Sequence, residues 1–412
     1  MSAEADVIVV GGGPAGMMAG FLLARAGVPV TVLEKHADFF RDFRGDTVHP
    51  STLDLFGELG LLAGLLAVPH DKVFDVQAVI GGRAYTIGDF SKLPLPGNFI
   101  AMMPQWDFLN FLAGEAAKLA CFALRMGCEA VNLLTEHGRV RGVRTSDGED
   151  LRARLTIVAD GRDSRLRAAS GLPLRDLGAP IDVFWFRVPK QRTPGNDTQG
   201  YIAGGEMVVA IDRGDYFQCA RVIEKGAAER VRAEGIAAFR TDVAKAAPSL
   251  AQGLEAVASW DDVKLLSVSL DRLERWSRPG LLVIGDAAHA MSPVGGVGIN
   301  LAIQDAVAAA NVLAAPLVRG DDVDPLLERV RARRMLPVRV IQGLQRTIHR
   351  TVIRAALAGT VQQAPAVLRL VDGSPLLQQI PARLLGLGIR REHIRSPAAA
   401  PPAKVWSGAA ER

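Results

Sequence analysis

The opening segment of this 412-residue chain constrains its fold more than any other stretch. "DVIVV" (Asp6 to Val10) is a short β-branched run that reads as a buried strand. A glycine turn leads from it into a helix, "GGGPAGMMAGFLLARAG", that ends near Gly27, and "VPVTVLEK" returns as a second strand. Strand, helix and strand within about 30 residues make the βαβ unit of a parallel sheet. Gly11, Gly13 and Gly16 form GxGxxG between the strand and the helix, the context in which this pattern binds a dinucleotide. Gly11 permits the tight turn, Gly13 lets the backbone approach a pyrophosphate, and Gly16 permits close helix–strand contact. The helix N-terminus offers unpaired N–H groups and a partial positive charge to the phosphates. Glu34, with Lys35 beside it, ends the second strand about 20 residues on, where a carboxylate can accept from ribose hydroxyls. Glu34 argues against a 2′-phosphate here, because two anions repel; NAD and FAD both fit.

Two later segments also place an acid at a strand end. "VADGRDSRLR" (Val158 to Arg167) has Asp160-Gly161, then Ser164 and Arg167 on a helix start, although Asp as a plain N-cap fits equally. "VIGDAAHAMSPVGGVGINLAIQD" (Val283 to Asp305) sets Asp286 where it can accept from a polyol chain. Gly295 to Asn300 can present backbone N–H groups at a helix N-terminus, whose dipole favours negative charge such as that on a reduced flavin ring. The run of small residues lets a broad planar ring lie close to the main chain.

These three stations, GxGxxG with a distant Glu, then DGxxSxxR, then GDAAHxxxPxGGxGxN, resemble those of the group A flavoprotein aromatic hydroxylases of the p-hydroxybenzoate hydroxylase type. The resemblance covers residues 1 to 70, 100 to 175 and 275 to 315, and is much weaker over 180 to 270. It implies FAD as cofactor and NAD(P)H as electron donor. Asp286 would hold the ribityl or pyrophosphate region and Pro293 would lie beside the isoalloxazine. The backbone through Gly296, Gly298, Ile299 and Asn300 would meet its polar edge. "RDFRGDTVHPSTLDLFGELGL" resembles a flavin-contacting loop and nominates Arg44; "MMPQWDFLNFLA" nominates Gln105. Asp160, Arg162 and Arg167 become candidates for electron-donor binding. There is no second GxGxxG and no CxxC, which counts against the disulfide-reductase type; the absence of WxWxIP counts against the halogenase branch.

The implied fold is α/β: a Rossmann-like FAD-binding domain, an inserted, mainly antiparallel β substrate domain and a helical C-terminal segment. The expected boundaries are 1–70, 100–180 and 272–325 for a discontinuous FAD-binding domain. The substrate domain takes 71–99 and 181–271, helices take 326–395, and 396–412 form a loose tail. Helical pattern follows Pro50, runs from Gln105 to Leu119 and recurs from about Ala227 to Ala246, whereas Cys128 to Asp160 alternates like strands.

Apolar content of 49% against 22% charged residues describes a globular protein. Three cysteines, Cys121, Cys128 and Cys219, support neither a disulfide framework nor a zinc site and suit a reducing cytoplasm. The N-terminus does not read as a signal peptide, and no uninterrupted apolar span near 20 residues is evident. From Pro325 to Arg412 there are 15 Lys+Arg and 4 Asp+Glu, a net of +11, against −7 for the remainder. Arg346, Arg350 and Arg354 recur at helical spacing opposite Ile341, Leu344, Ile348 and Val352. That helix either packs on the flavin domain or makes a weak membrane-surface contact. No nucleic acid partner is expected, and the chain is expected to be a monomer or homodimer.

The chemistry that the resemblance implies is reduction of FAD by NAD(P)H, then transfer of one O2 oxygen through a flavin hydroperoxide to an aromatic or polycyclic small molecule. Epoxidation, oxidative rearrangement or dehydrogenation on the same fold, and a flavin-binding protein without turnover, are the alternatives. An apolar pocket would exclude water; Phe184, Trp185, Phe186, Met207, Tyr216 and Phe217 are candidate walls. His49, Tyr201, Tyr216 and His289 are candidates for a base that would activate a phenolic substrate, His49 and Tyr216 foremost and His289 more plausibly structural.

Overall fold

A computed structural model describes residues 5–40, 47–190 and 198–399. Its first sheet grows from the β-branched runs. Strands Leu281–Val283, Asp150–Val158, Ala5–Val10, Val30–Leu33 and Phe122–Arg125 lie side by side in that order, all parallel. Helices cover such a sheet on both faces, which is why its strands are apolar without alternation: Val7, Val9, Val32, Leu155 and Ile157 are all fully buried. Arg139–Thr145 and Ala130–Glu136 extend the sheet as an antiparallel meander from the start of Asp150–Val158. The edge strand Phe122–Arg125 carries little sequence signal, and the pattern reading above does not place it.

The helix Pro14–Arg25 follows the first strand, with Pro14 in its first turn and Gly13 as N-cap. Two glycines are obligatory in this turn. Gly11 has φ +103°, and a Cβ there would lie 2.4 Å from the Ala159 carbonyl oxygen. A Cβ on Gly16 would lie 1.9 Å from the Gly11 carbonyl oxygen.

The second sheet has seven strands in the order Lys264–Ser267, Ile181–Pro189, Tyr216–Glu224, Glu206–Asp212, Gln199–Ala203, Asp75–Ile80 and Arg83–Asp89. All its pairings are antiparallel except that of Gln199–Ala203 with Asp75–Ile80. The strand period of two divides its side chains cleanly. Phe184, Phe186, Phe217, Cys219, Tyr201 and Val208 face an outer layer formed by Ala228–Ala233, Ile236–Ala246 and the 3-10 segment Pro248–Ala256. There Phe239 meets Phe184 and Phe186 edge to face, with centroids 5.9 and 5.2 Å apart. The opposite face carries Val183, Trp185, Met207, Val209, Ala220 and Val222, packed with Val294, Ile348 and Ile353. Residues Asp71–Val73 join neither sheet; they pair with Ile100–Met102 in a small sheet that also holds Thr47–Val48.

Gly298–Val318 is a 21-residue helix with mean hydropathy 1.6, long and apolar enough by length and composition to cross a membrane. Sequence inspection finds no such span, because Asn300, Gln304 and Asp305 interrupt the run. The helix is a core element: 72% of its apolar window is buried, and it packs against Pro14–Arg25 and Asp324–Ile348. Asp324–Ile348 runs on through a π turn, His349–Ile353, into Arg354–Leu357. A hairpin of Ala366–Asp372 and Pro375–Gly386 then packs on Arg83–Asp89.

A final strap runs back over the first lobe. Arg391 pairs with Asp54 at 2.9 Å, His393 with Glu58 at 2.5 Å, and Asn311 bonds His393, Arg395 and Ser396. Residues 396–399, expected to be loose, are therefore anchored in part, and Ala399 N–H donates to Arg25 O at 2.7 Å. Residues 400–412 lie outside the described residues.

One ion cluster lies wholly inside this core. Asp305 is fully buried and takes Arg334 Nε–H at 2.9 Å, while His289 Nε2 lies 2.6 Å from its other oxygen. Burial alone would raise the Asp305 pKa, but His289 and Arg334 together hold it below the ordinary carboxylate value. Removing one member of a buried pair strands the other charge, at a cost of about 3–5 kcal/mol. Arg334→Met is expected to lose stability in that range by urea unfolding of the purified protein; a loss below about 1 kcal/mol, the scale of an exposed pair, would refute this role.

Candidate functional site

The three strand ends predicted from sequence converge at the C-terminal edge of the first sheet, where open parallel sheets bind ligands. Ala5–Val10 leads to the glycine turn, Asp150–Val158 to Asp160, and Leu281–Val283 to Asp286, and the three strands are direct neighbours. Gly11 N–H donates to Leu33 O at 2.8 Å and Gly12 N–H to Glu34 Oε2 at 2.9 Å, so the acid and the glycine turn are one unit. Glu34 also accepts from His36 N–H at 3.1 Å, while Lys35 is exposed.

Several groups in this region are incomplete as they stand. Asp160 is largely buried, and its Oδ1 has no hydrogen-bond partner. Desolvation raises its pKa, although the Ser164 hydroxyl opposes the shift. Arg162 reaches Asp286 at 3.4 Å with one nitrogen, while its Nε and Nη1 are buried without partners. Gly13, unlike Gly11 and Gly16, has nothing within 4 Å of where its Cβ would be, so the turn has an open side. Buried orphan donors and acceptors are rare in folded proteins. Those on Asp160 and Arg162, beside an open glycine turn, fit a long polar ligand such as FAD.

Arg167 is engaged within the protein. Its Nη2 donates to Arg162 O at 2.6 Å, and its Nη1 reaches Ala287 O at 3.3 Å and Asp271 at 3.5 Å. It ties the second station to the third.

The loop from Gly285 to Asn300 is held from several sides. Asp305 accepts Gly285 N–H at 3.1 Å in addition to its His289 contact, so His289 braces the loop as expected. Gln345 uses both ends of its carboxamide: Oε1 accepts Ser292 N–H at 3.2 Å, while Nε2 donates to Ser292 O at 2.9 Å and Val294 O at 3.0 Å. Pro293 sits inside this clamp. His349, in the π turn, reaches Ser292 Oγ at 2.9 Å, and Gln342 donates to Ala290 O at 3.2 Å.

The Asn300 side chain is a brace, since its Oδ1 accepts His49 N–H at 2.9 Å and Thr52 Oγ1–H at 2.7 Å. Thr47 Oγ1–H donates to Gly296 O at 2.7 Å. Gly298 and Ile299 open the long core helix, whose first-turn N–H groups lack intrahelical acceptors. Sequence reading misses Thr47, Asp305, Arg334, Gln342, Gln345 and His349. The spacing of Gln342, Gln345 and His349 along one face of a basic helix and the turn that continues it was the available signal.

His49 has no exposed surface, which excludes a surface histidine. Its Nδ1 lies 2.8 Å from Leu385 O, so that nitrogen carries the proton and donates, and Nε2 is buried without a partner. Burial pushes its pKa down to about 4. Tyr201 faces the outer helical layer and bonds Ser249 Oγ at 3.1 Å. Tyr216 shares strand parity with Ala220 and Val222, at the far end of the strand, with Arg187 5.3 Å from its ring centre. Phe184, Phe186 and Phe217 belong to the outer layer, which removes them as walls of an inner pocket. Gln105 begins the helix Gln105–Ala116, and Arg44 lies outside the described residues.

A family model described as "FAD binding domain" matches residues 4–343. The chain belongs to this family of FAD-dependent monooxygenases. It is 35% identical over 340 residues to 6-methylpretetramide 4-monooxygenase of Streptomyces rimosus, covering 81% of this chain and 80% of that one. Over 399 residues it is 26% identical to aklavinone 12-hydroxylase of Streptomyces peucetius, covering 90% and 79%. The fold is similar to that of a probable FAD-dependent monooxygenase from Pseudomonas aeruginosa, with a TM-score of 0.74, 20% identity and coverage of 88% of this chain and all of that one. The cofactor is FAD and the donor NAD(P)H.

The space beside Gly13 gives a test of cofactor placement. Gly13→Ala is expected to keep the parent's unfolding temperature without FAD, since its Cβ meets nothing in the protein. It is expected to weaken FAD binding about tenfold or more, measured by flavin fluorescence titration. Equal affinity would place the cofactor elsewhere.

His49 gives a pH test. Its folded pKa of about 4 lies below the ordinary value of 6.5, so between these pH values the unfolded chain binds a proton that the folded protein excludes. Its contribution is fully present above about pH 6.5 and is lost as pH falls toward 4, by about 3 kcal/mol in all. His49→Asn is expected to flatten this part of the stability–pH profile, measured as the urea midpoint at each pH.

Proposed function

We propose that this enzyme hydroxylates an aromatic, polycyclic small molecule held between the Pro293–Val294 loop and the inner face of the seven-stranded sheet. The observation that carries this reading is the packing of Val294 against the face that bears Val183, Trp185, Met207 and Val209. That face is apolar, as water exclusion requires, and Trp185 Nε1–H is buried on it without a partner. Such a donor suits a carbonyl or hydroxyl oxygen on a flat ring system. The names of the Streptomyces relatives, a pretetramide monooxygenase and an aklavinone hydroxylase, support a ring substrate.

In this reading FAD, when bound, exchanges hydride with NAD(P)H and activates O2; the chain binds, orients and excludes water. Gly11, Gly13 and the N-terminus of Pro14–Arg25 take the pyrophosphate, and Glu34 takes the ribose. Asp160, Arg162 and Asp286 supply the polar contacts between nucleotide and ring. Pro293 and the backbone from Gly296 to Asn300 would hold the ring end of the cofactor. Arg162 keeps two unpartnered nitrogens for these contacts, whereas Arg167, the other arginine expected near the electron donor, already bridges two loops. His49 acts by joining Asn300 to Leu385, and Tyr216 stands at the end of the substrate face. The sheets support a division into an FAD-binding lobe and a substrate lobe near the expected boundaries. The three cysteines are free, in keeping with a cytoplasmic enzyme.

On the apolar side opposite Arg346, Arg350 and Arg354, Ile341 is buried and Ile348 belongs to the inner cluster with Val294, whereas Val352 is exposed.

The reading is tested with a panel of hydroxylated polycyclic quinones and 18O2. A true substrate accelerates NAD(P)H oxidation and carries one labelled oxygen in the product; accelerated oxidation with peroxide release and no labelled product across the panel would overturn it. With any such ligand, Trp185→Phe is expected to raise Kd about three- to tenfold while FAD content is unchanged.

A further inference from the structure

The hairpin of Ala366–Asp372 and Pro375–Gly386 has two faces with different duties. Its inner face is buried against the second sheet. Leu368 joins the small cluster of Tyr85 and Ile80, the Asp372 carboxylate accepts Thr86 N–H at 2.9 Å, and Ala382 and Gly386 are buried beside Phe90 and Leu93. At 100° per residue, Leu376, Ile380 and Arg383 lie within one sector of about 60° on the second helix, roughly 110° round from Ala382 and Gly386. Val367 and Leu370 lie opposite Leu368 and Asp372 on the first. Val367, Leu370, Leu376 and Ile380 are 73, 64, 78 and 62% exposed. These are the four most exposed large apolar side chains among the described residues. Scattered apolar residues on a surface are ordinary, but four on one short hairpin form a patch that asks for a partner.

The charge around the patch selects that partner. Between Arg346 and Arg391 the chain has seven arginines and one acid, Asp372, whose carboxylate is already bonded to Thr86 and lies 3.5 Å from Arg83. Arg369 and Arg383 stand exposed on the two helices themselves. A second copy docked through the same face would set like charges against each other. The protruding residues are all aliphatic, without the Tyr and Trp anchors that concentrate binding energy in protein interfaces. Aliphatic side chains on an amphipathic helix with flanking arginines match the boundary of an anionic bilayer, where the chains enter the acyl region and the guanidinium groups meet phosphate.

We propose that the 366–386 hairpin is a docking face for an anionic membrane surface, through Val367, Leu370, Leu376 and Ile380 with Arg369 and Arg383. It is distinct from the basic helix Asp324–Ile348, whose apolar side is turned inward. The same hairpin reaches the candidate site from its other side. Leu385 O accepts His49 Nδ1–H at 2.8 Å, and the Leu385 side chain lies 3.3 Å from where a Cβ on Gly295 would be. The docked surface and the Gly295 loop are thus separated by a single helix. This suits an enzyme whose apolar substrate partitions into lipid. The docking rests on the hairpin's own surface and not on the substrate's identity.

The test is co-sedimentation of the full-length, FAD-loaded protein with vesicles of phosphatidylglycerol and phosphatidylcholine in equal parts, and with phosphatidylcholine alone. The parent is expected to sediment with the anionic vesicles, with binding reduced by high salt and much weaker on neutral ones. The double variant Leu376→Ser, Ile380→Ser is expected to lose tenfold or more in partition coefficient while keeping the parent's unfolding temperature and flavin absorbance. Arg369→Glu is expected to weaken binding to anionic vesicles alone. The proposal falls if the parent ignores anionic vesicles or if a folded double variant binds them as the parent does. It falls equally if light scattering shows a parent dimer that the double variant dissolves, which would assign the face to a second copy.

Discussion

A single buried carboxylate organises the part of this molecule that matters most. Asp305 is the one charged residue of the helix Gly298–Val318 and is fully buried, so its charge must be met inside the protein. It meets Gly285 N–H at the end of a sheet strand, His289 in the following loop, and Arg334 on the next helix. Three chain segments far apart in sequence are thereby fixed around one pair of oxygens. Gly285 precedes Asp286, so the carboxylate proposed to meet FAD inherits its position from Asp305. Buried ion pairs add little net stability when compared with apolar packing, yet they are costly to break. That combination suits a residue whose work is to specify a loop.

The second sheet applies a simpler rule. Alternation along each strand sends Phe184, Phe186 and Phe217 to the helical outer layer and Trp185, Met207 and Val209 toward the loop with Val294. The composition of the strands marks all of these as core or pocket. Only knowing which face is covered by helices tells one from the other. The polar pattern follows the same division: Tyr201 finds Ser249 on the outer face, whereas Trp185 keeps a free N–H on the inner one.

The C-terminal region holds the site from both directions. Gln342 and Gln345 reach the backbone of the 290–294 segment from one side and His349 its Ser292 hydroxyl, while Leu385 touches His49 and the Gly295 turn from another helix. The two carboxamides satisfy main-chain groups that a loop of small residues cannot satisfy by itself. A segment that reads as a basic, solvated helix is in large part the far wall of the cofactor loop. Arg339 and Arg350 are exposed, whereas Arg334 turns inward to Asp305.

The sequence by itself determined the first sheet and the three strand ends, because these depend on local requirements. Gly11 needs a positive φ, Gly16 needs room for a carbonyl oxygen, and β-branched runs such as "DVIVV" bury both faces. Such needs are met by residues close in sequence and can be read from spacing alone. Tertiary structure alone decided the neutrality of His49, the engagement of Arg167 between two loops, the Gln345 clamp and the exposure of the 366–386 hairpin. Each depends on contacts across many residues, such as His49 with Leu385 or Arg167 with Ala287. A polar side chain looks the same in sequence whether it binds a ligand, braces a loop or faces water. Burial and the presence of a partner make the difference, and both exist only once the chain has folded.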